Sequence, residues 1–339
     1  MVNKKQNIYL INWLNFSLVV IILMVIIGAI TRLTQSGLSI SDWRPVMGIF
    51  PPLNESQWNE AFDYYKEFPE FKKLNFNMTL NDYKTIYFWE YLHRILGRFI
   101  GLLFIFPFVY FLSRKFLNSS LIKSLLLLFS LGVLQGFMGW YMVKSGLVDN
   151  PYISHFRLAA HLSIAFIIIA YVYWIKMSIM YPDKNKKSLQ KYNHFINFIL
   201  FLFFIQIVYG AFTAGLKAGN YWNTFPLMEG QFIPYGLWDL EPAYSNLLNN
   251  KKMIQFIHRS IGISLLISIY LFSFKLKDLS LDFNLKGRNL VTAISCQVFL
   301  GIVTLISKAP LVLAASHQFL AVIILLLLMN TKHSLKYKR

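Results

Sequence analysis

The chain has a single cysteine, Cys296, among its 339 residues. One thiol cannot form an intrachain disulfide, and it argues against a zinc or iron–sulfur centre built on cysteines. Cys296 lies within an apolar run, so we expect a buried, unreactive thiol. Acidic side chains are also scarce, with 15 Asp and Glu against 33 Lys and Arg. The sequence is therefore poor in the carboxylates that many zinc and copper sites recruit.

Charged residues of either sign make up only 14% of the chain, whereas 56% of it is hydrophobic. A soluble domain cannot bury that much apolar surface, so the composition indicates an integral membrane protein. A helix needs about 20 apolar residues to cross a bilayer core of about 30 Å. Eight runs satisfy this length and predict an all-α fold with eight transmembrane helices, at about 9–31, 88–112, 121–143, 158–180, 194–214, 253–274, 289–307 and 311–330.

The formal net charge of +18 could suggest nucleic-acid binding, but its distribution favours a membrane surface. Basic side chains collect at the N-terminus, in every second loop and at the C-terminus. This positive-inside pattern predicts that both termini are cytoplasmic and that the surplus charge contacts anionic lipid. The N-terminal segment lacks an organellar presequence, which favours a bacterial inner membrane. The pattern rests on Lys4, Lys5, Arg114, Lys115, Lys123, Lys176, Lys184, Lys186, Lys187, Lys191, Lys275, Lys277, Lys286, Arg288, Lys332, Lys336, Lys338 and Arg339, against Glu55, Glu60, Asp63, Glu67 and Glu70 in the first outer loop.

Several motifs occur twice and divide the chain into two halves, 1–182 and 183–339. Gly28-Ala-Ile-Thr31 returns as Gly210-Ala-Phe-Thr213, and Gln135-Gly-Phe-Met-Gly139 returns as Gln297-Val-Phe-Leu-Gly301. Four spans bring the chain back to the side on which it started, so the repeats are parallel. The sequence therefore predicts two tandem, pseudo-symmetric four-helix bundles.

Each half begins with a long outer loop, at 32–87 and at about 215–252. In the first loop, Asn54 and Gln57 resemble a helix-capping pair, and Pro69 marks a stop. Trp58, Phe62 and Tyr65 would share one face of a short helix lying on the outer membrane surface. The aromatic loops could cover a cofactor pocket or could anchor the protein in the membrane interface.

Four histidines follow the same repeat, with His93 and His161 in the first half and His258 and His317 in the second. All four lie near the outer ends of the even-numbered spans. A lone membrane histidine often joins two helices by a hydrogen bond. Two per half on separate helices could instead bind haem, which needs one imidazole on each side of the iron. A small residue one helical turn after each histidine would leave space for the macrocycle: Gly97, Ala165, Gly262 and Ala321.

The residues next to these histidines suggest a division of roles. Arg94 and Arg259 could pair with haem propionates or could extend to lipid headgroups. Glu90 precedes His93 by three residues, and its counterpart is Gln255, which cannot titrate. Glu90 could therefore handle protons at a reacting site, or it could be an ion-pair partner of Arg94 or Arg98.

Three further histidines are weaker candidates. His155 precedes the fourth span and could be a surface residue or could gate a pocket. His194 opens the fifth span on the cytoplasmic side, and His333 lies in the C-terminal tail. We interpret His194 and His333 as structural or solvated.

These motifs together resemble the haem A synthase family. The resemblance rests on Glu90-x-x-His-Arg-x-x-Gly97, on Gly28-x-x-Thr-Arg-Leu-Thr-x-Ser-Gly-Leu-Ser39 with Trp43, Pro45, Pro51 and Pro52, and on Gln135-Gly136 with Gly139-Trp-Tyr-Met-Val-Lys-Ser-Gly-Leu147. His258-Arg259 and His317 extend it over nearly the whole chain. Because its outer loops lack cysteines, the chain resembles the cysteine-free proteobacterial and mitochondrial branch of the family.

The resemblance implies the function and the roles of the site residues. His258 and His317 would ligate haem B, and His93 and His161 would flank the substrate, with Glu90 as the essential acid. A ring methyl of haem O would be oxidised through hydroxylated intermediates to the formyl group of haem A, for use by cytochrome c oxidase. Implied partners are haem O synthase, cytochrome oxidase assembly factors and an external electron carrier of unknown identity, and a homo-oligomer is compatible with the sequence.

Two other functions remain compatible with paired histidines. The first is a dihaem b-type electron carrier that oxidises or reduces quinone. The second is a transporter or chaperone that holds haem and releases it unchanged. The electron carrier gives no reason why a carboxylate at position 90 is matched by an amide at position 255.

Overall fold

The computed structural model describes residues 4–40, 50–146, 151–182 and 189–337. Within these ranges the regular elements are helices, and eight of them carry apolar stretches long enough to cross a membrane. This confirms the predicted all-α membrane fold and its eight spans. The helices are α1 (Lys4–Leu33), α2 (Glu55–Lys66), α3 (Pro69–Lys73), α4 (Leu80–Ser113), α5 (Ser119–Gly146), α6 (His155–Met180), α7 (Gln190–Gly215), α8 (Ser245–Asn249), α9 (Lys251–Leu276), α10 (Leu281–Ile306) and α11 (Leu311–Lys336).

Some residues used in the sequence interpretation lie outside the described ranges. They are Trp43, Pro45 and Leu147 of the family motifs, and Lys184, Lys186, Lys187, Lys338 and Arg339 of the basic pattern.

Two membrane helices begin about eight residues earlier than hydropathy predicts. The helix α4 begins at Leu80 because Thr79 and Asp82 form a reciprocal capping box, so the predicted extension of the outer loop to residue 87 is wrong. The helix α10 begins at Leu281, where the Ser280 hydroxyl accepts a hydrogen bond from the Phe283 amide. The polar first turns of both helices hid these starts from a hydropathy scan.

The chain forms two compact units. One consists of Val19–Arg157, and the other combines Met1–Leu18 with Leu158–Arg339. In the second unit, α7 packs on α9, α9 on α10, α10 on α11, and α11 on α7. These contacts make a ring of four helices in which α9 and α11 lie on opposite sides. The division at residue 182 into two tandem bundles stays a prediction.

The outer segment of the first unit packs on α4 through aromatic side chains. Asn54 caps α2 by accepting a hydrogen bond from the Gln57 amide at 2.9 Å, which confirms the predicted helix start. Phe62 and Tyr65 on α2 pack against α4, and the placement of this helix on the outer membrane surface stays a prediction. Pro69 is the first residue of α3, where its missing amide proton has no cost. We call this buried cluster the aromatic cap: Phe62, Tyr65, Tyr83, Ile86 and Tyr87.

Cys296 lies on the exposed side of α10, so the prediction of a buried thiol is wrong. The buried residues of this helix are Lys286, Gly287, Leu290, Ala293 and Ile294, and Ile294, two positions before Cys296, points to the opposite side. An apolar transmembrane helix can expose such a face because lipid covers it. The apolar surroundings of Cys296 in the sequence therefore reflect contact with lipid.

Candidate functional site

His258 and His317 come from the two helices that lie on opposite sides of the four-helix ring. His258 is on α9 and His317 is on α11, and the two imidazoles are close enough to interact electrostatically. The Nδ1 atom of each ring is buried and has no hydrogen-bond partner among the described residues. A buried polar atom without a partner is unfavourable, and in native proteins it often marks a functional site.

Each of these imidazoles fits against a glycine of the neighbouring helix. A Cβ atom added at Gly210 would lie 3.1 Å from the Cε1 atom of His258, and one added at Gly301 would lie 2.8 Å from that of His317. These separations leave no room for a larger side chain. The glycines therefore allow α7 and α10 to approach the rings closely and so fix where the imidazoles lie.

A glutamine one turn before each glycine reaches the other nitrogen of the same imidazole. The amide nitrogen of Gln206 lies 3.5 Å from Nε2 of His258, and that of Gln297 lies 3.4 Å from Nε2 of His317. These distances are at the long limit of a hydrogen bond, so the amides are weak competitors for Nε2. The side-chain oxygens of both glutamines are buried and unpartnered among the described residues.

These features fit an iron porphyrin held between α9 and α11. Imidazoles from opposite helices would hold such a group from both sides, and their Nε2 atoms have only weak contacts to lose. Two glycines, Gly210 and Gly301, and the amides of Gln206 and Gln297 lie beside the two rings. This set of donors is therefore suited to haem, which His258 and His317 would hold.

Beside this pair, Gln255 and Arg259 attach the second outer loop to α9. The Gln255 amide donates to the carbonyl oxygens of Ala218 and Tyr221, both at 2.8 Å, and its own oxygen accepts from Arg259 at 2.8 Å. Arg259 also donates to the carbonyl oxygens of Trp222 and Thr224. Its Nε atom is buried and has no partner among the described residues. We call this arrangement the Gln255 clasp.

Glu90 and Arg94 make the corresponding clasp in the first unit with the opposite hydrogen-bond polarity. Glu90 Oε2 accepts from the Ser39 hydroxyl at 2.7 Å and from the Ile40 amide at 2.8 Å. Its Oε1 atom pairs with Arg94 at 2.5 Å, and Arg94 also donates to the Ile40 carbonyl oxygen at 2.7 Å. The structure thus contains the ion pair of Glu90 with Arg94 that the sequence left as an alternative. We call this arrangement the Glu90 clasp.

The two clasps give the Glu/Gln difference a structural reason. The first loop offers donors to position 90, so a carboxylate suits it. The second loop offers two carbonyl oxygens to position 255, so an amide with two N–H donors suits that one. The side chain at each position matches its loop, whether or not Glu90 also takes part in the reaction.

His93 and His161 are on α4 and α6 and fall in different compact units. A Cβ atom added at Gly28 would lie 3.0 Å from Cε1 of His93, so His93 meets α1 in the same way that His258 meets α7. The counterpart of Gln206 is Met24, whose methyl group faces Gly97 just as Gln206 faces Gly262. His161 is half-buried on α6, with the buried Ala165 one turn later.

The remaining histidines have clear surroundings. His155 is half-buried at the first position of α6, and His194 is exposed on α7. His333 belongs to α11, not to a tail, and is fully buried against Trp174 and Tyr337. The structural interpretation is confirmed for His333, and solvation of His194 stays a prediction.

Sequence reasoning noted Gly210, Gln297 and Gly301 as repeated landmarks but missed Gln206 and the contacts of all four with the histidines. The pattern Gln-x-x-x-Gly at Gln206–Gly210 and Gln297–Gly301 puts both residues on one helix face, and this spacing is the signal that could have identified them. The contact of Ser39 and Ile40 with Glu90 spans about 50 residues of sequence, with no local signal.

Eight helices that are long and apolar enough to cross a membrane define a polytopic helical membrane protein. The model of the COX15-CtaA family, described as cytochrome oxidase assembly protein, matches residues 11–329, and the chain belongs to this family. Heme A synthase of Flavobacterium johnsoniae is 43% identical over 98% of this chain and 99% of its own length. Heme A synthase of Nitrosospira multiformis is 43% identical over 96% of this chain and 92% of its own length. The resemblance drawn from the motifs is thereby confirmed.

Proposed function

We propose that this chain is a haem A synthase, which oxidises a ring methyl of haem O to the formyl group of haem A. The observation that carries this proposal is the 43% identity to proteins named Heme A synthase over nearly the whole chain. It is a multi-pass protein suited to the bacterial inner membrane, and we propose that both termini are cytoplasmic. Haem O synthase and cytochrome oxidase assembly factors are the proposed partners.

In the second unit, we propose that His258 and His317 ligate a resident haem B. The support is their opposed placement, their weakly engaged Nε2 atoms and the glycines beside them. When bound, haem B supplies a one-electron centre that exchanges electrons with an external carrier. The buried Nε atom of Arg259 is the proposed donor to a haem propionate, since its Nη atoms already hold the outer loop.

At the substrate site, we propose that His93 and His161 flank haem O. Gly28 supports this role for His93 because it gives the ring the same close packing that Gly210 gives His258. Met24 in place of an amide leaves an apolar thioether at the position where Gln206 approaches its histidine. Such a surface suits a haem that must enter and leave.

Glu90 is the proposed acid of the reaction, and Arg94 is its partner and a propionate donor. The carboxylate is buried at the outer end of α4 and held in one orientation by Ser39, Ile40 and Arg94. A carboxylate in such a place can accept a proton from the substrate or stabilise positive charge on it.

The test uses the full chain expressed in cells that supply haem O, with extracted haems resolved by chromatography and mass. Wild type should yield a formyl-bearing haem, and Glu90→Gln should abolish it while the b-type spectrum remains. Ser39→Ala is the matched control because it removes one clasp hydrogen bond and keeps the carboxylate. If Ser39→Ala loses as much product as Glu90→Gln, Glu90 serves the loop and not the reaction.

A second pair of variants tests the haem B site. His258→Ala or His317→Ala should deplete the b-type spectrum of the purified protein, whereas His194→Ala, which changes an exposed histidine, should leave it intact. Wild type that binds haem B fully but returns haem O unaltered would favour an electron carrier over an enzyme.

A further inference from the structure

A second buried carboxyl group, which the proposed function does not use, contacts the aromatic cap through Tyr65. Glu70 lies in the first turn of α3, and only 4% of it is exposed. Burying a carboxyl group is unfavourable unless its surroundings satisfy it. The contacts of Glu70 therefore indicate what its burial achieves.

Glu70 is held by the hydroxyl group of Tyr65. Tyr65 donates to Glu70 Oε2 at 3.0 Å, and the side-chain amide of Asn75 donates to the Tyr65 oxygen at 2.8 Å. The backbone amide of Asn75 donates to the Glu70 carbonyl oxygen at 3.1 Å. Because Tyr65 is completely buried, its hydroxyl cannot turn to water instead. The position of the Tyr65 ring thus depends on Glu70.

Tyr65 in turn contacts Tyr83 on α4. The two rings stack with centroids 5.1 Å apart. The hydroxyl group of Tyr83 lies 3.2 Å from the carbonyl oxygen of Ala61 and 3.3 Å from that of Ser39. Tyr83 therefore ties α2 to the segment that contains Ser39 and Ile40.

That segment supplies two of the hydrogen bonds that orient Glu90. We propose that Glu70 is a positioning residue for Glu90, acting through Tyr65, Tyr83 and Ser39. The proposal rests on the proposed function, in which Glu90 is the acid of the reaction. Glu70 lies outside the transmembrane helices, so water on the outer side can control its protonation.

The pKa of Glu70 is raised to about 8, mainly by burial; the hydrogen bond from Tyr65 lowers this pKa, and the nearby charge of Glu90 raises it. The groups that face Glu70 are Tyr65 from α2, Asn75 from the segment after α3, and Glu90 from α4. Glu90 is balanced by Arg94, whereas the partner of Glu70 is a neutral hydroxyl. Glu70 is therefore uncharged at neutral pH.

Ionisation of Glu70 above about pH 8 would put a second negative charge beside Glu90. The ionised carboxylate of Glu70 lowers its desolvation cost by moving toward water. This movement would break its hydrogen bond with the Tyr65 hydroxyl. The Glu90 clasp is therefore intact below the pKa of Glu70 and loosens as the pH rises through this pKa.

The experiment measures hydrogen exchange at the Ile40 amide, which donates to Glu90, as the pH is raised. Glu70→Gln is a neutral isostere that cannot ionise. Glu67→Gln is the matched control, because Glu67 is exposed and lies just outside the cap. Protection at Ile40 should fall roughly tenfold at one pH unit above the pKa in wild type and Glu67→Gln. It should be retained in Glu70→Gln at the same pH.

The proposal is wrong if Glu70→Gln loses protection as wild type does, or if wild type loses none. Tyr65→Phe gives an independent check, because it removes the hydroxyl and keeps the ring. The loss of protection at Ile40 at alkaline pH should then disappear, and its persistence would also contradict the proposal.

Haem A formation at about pH 9 is measured in the same variants and should be higher in Glu70→Gln than in wild type. If exchange follows the prediction but no variant makes haem A, the positioning role stands and the proposed function fails.

Discussion

The two clasps differ in having Glu90 in one and Gln255 in the other, and the direction of their hydrogen bonds explains this difference. Glu90 receives hydrogen bonds from its loop, whereas Gln255 donates to two carbonyl oxygens of its own loop. We expect Gln255→Glu to destabilise the protein by about 2 kcal/mol, because the carbonyl oxygens of Ala218 and Tyr221 would lose their donors and face a carboxylate. Unfolding in mixed micelles measures this loss.

The control for this prediction is Gln255→Leu, which removes the donors without adding charge. It should lose less stability than Gln255→Glu, since it leaves the carbonyl oxygens unpaired but does not repel them. Equal stability of Gln255→Glu and wild type would mean that the loop does not depend on the polarity of this side chain.

At the scale of helices, close approach at two glycines determines where the paired imidazoles lie. We expect Gly301→Ala to lower haem B content several-fold, because the new Cβ atom would lie 2.8 Å from the His317 ring and displace it. The ratio of b-type absorbance to protein measures this content. Gly210→Ala should act in the same direction and less strongly, since its separation from His258 is 3.1 Å.

Gly132→Ala is the matched control for this substitution. Gly132 is also helical, and nothing lies within 4 Å of the position its Cβ atom would take. Alanine favours a helix over glycine by roughly 1 kcal/mol, so the control should be neutral or stabilising. Full haem B in Gly301→Ala would show that the His317 ring does not need this packing.

The sequence predicts the membrane helices well because length and apolar composition are local properties. It misplaces the starts of α4 and α10, where a capping box and an ion pair of Asp282 with Lys286 make the first turn polar. Hydropathy treats such a turn as loop, although the caps satisfy its backbone donors.

The candidate site is harder to predict because its supports come from distant segments. The histidines stand out through their repeat, but the groups that orient them and Glu90 come from other helices and from loops. The burial of Glu70 likewise requires α2, α3 and α4 to pack together, and no periodicity in the sequence reports that packing.

For the whole molecule, the basic loops predict an orientation in the membrane, with both termini in the cytoplasm. This can be tested with single cysteines introduced after Cys296→Ser, which removes the one native cysteine of the chain. Asn77 is exposed in the first outer loop and Lys277 is exposed between α9 and α10, on the predicted cytoplasmic side. In intact spheroplasts, an impermeant maleimide should label Asn77→Cys and should reach Lys277→Cys only after permeabilisation. The reverse pattern would place the aromatic cap and both clasps in the cytoplasm, where the proposed control of Glu70 by the outer pH could not operate.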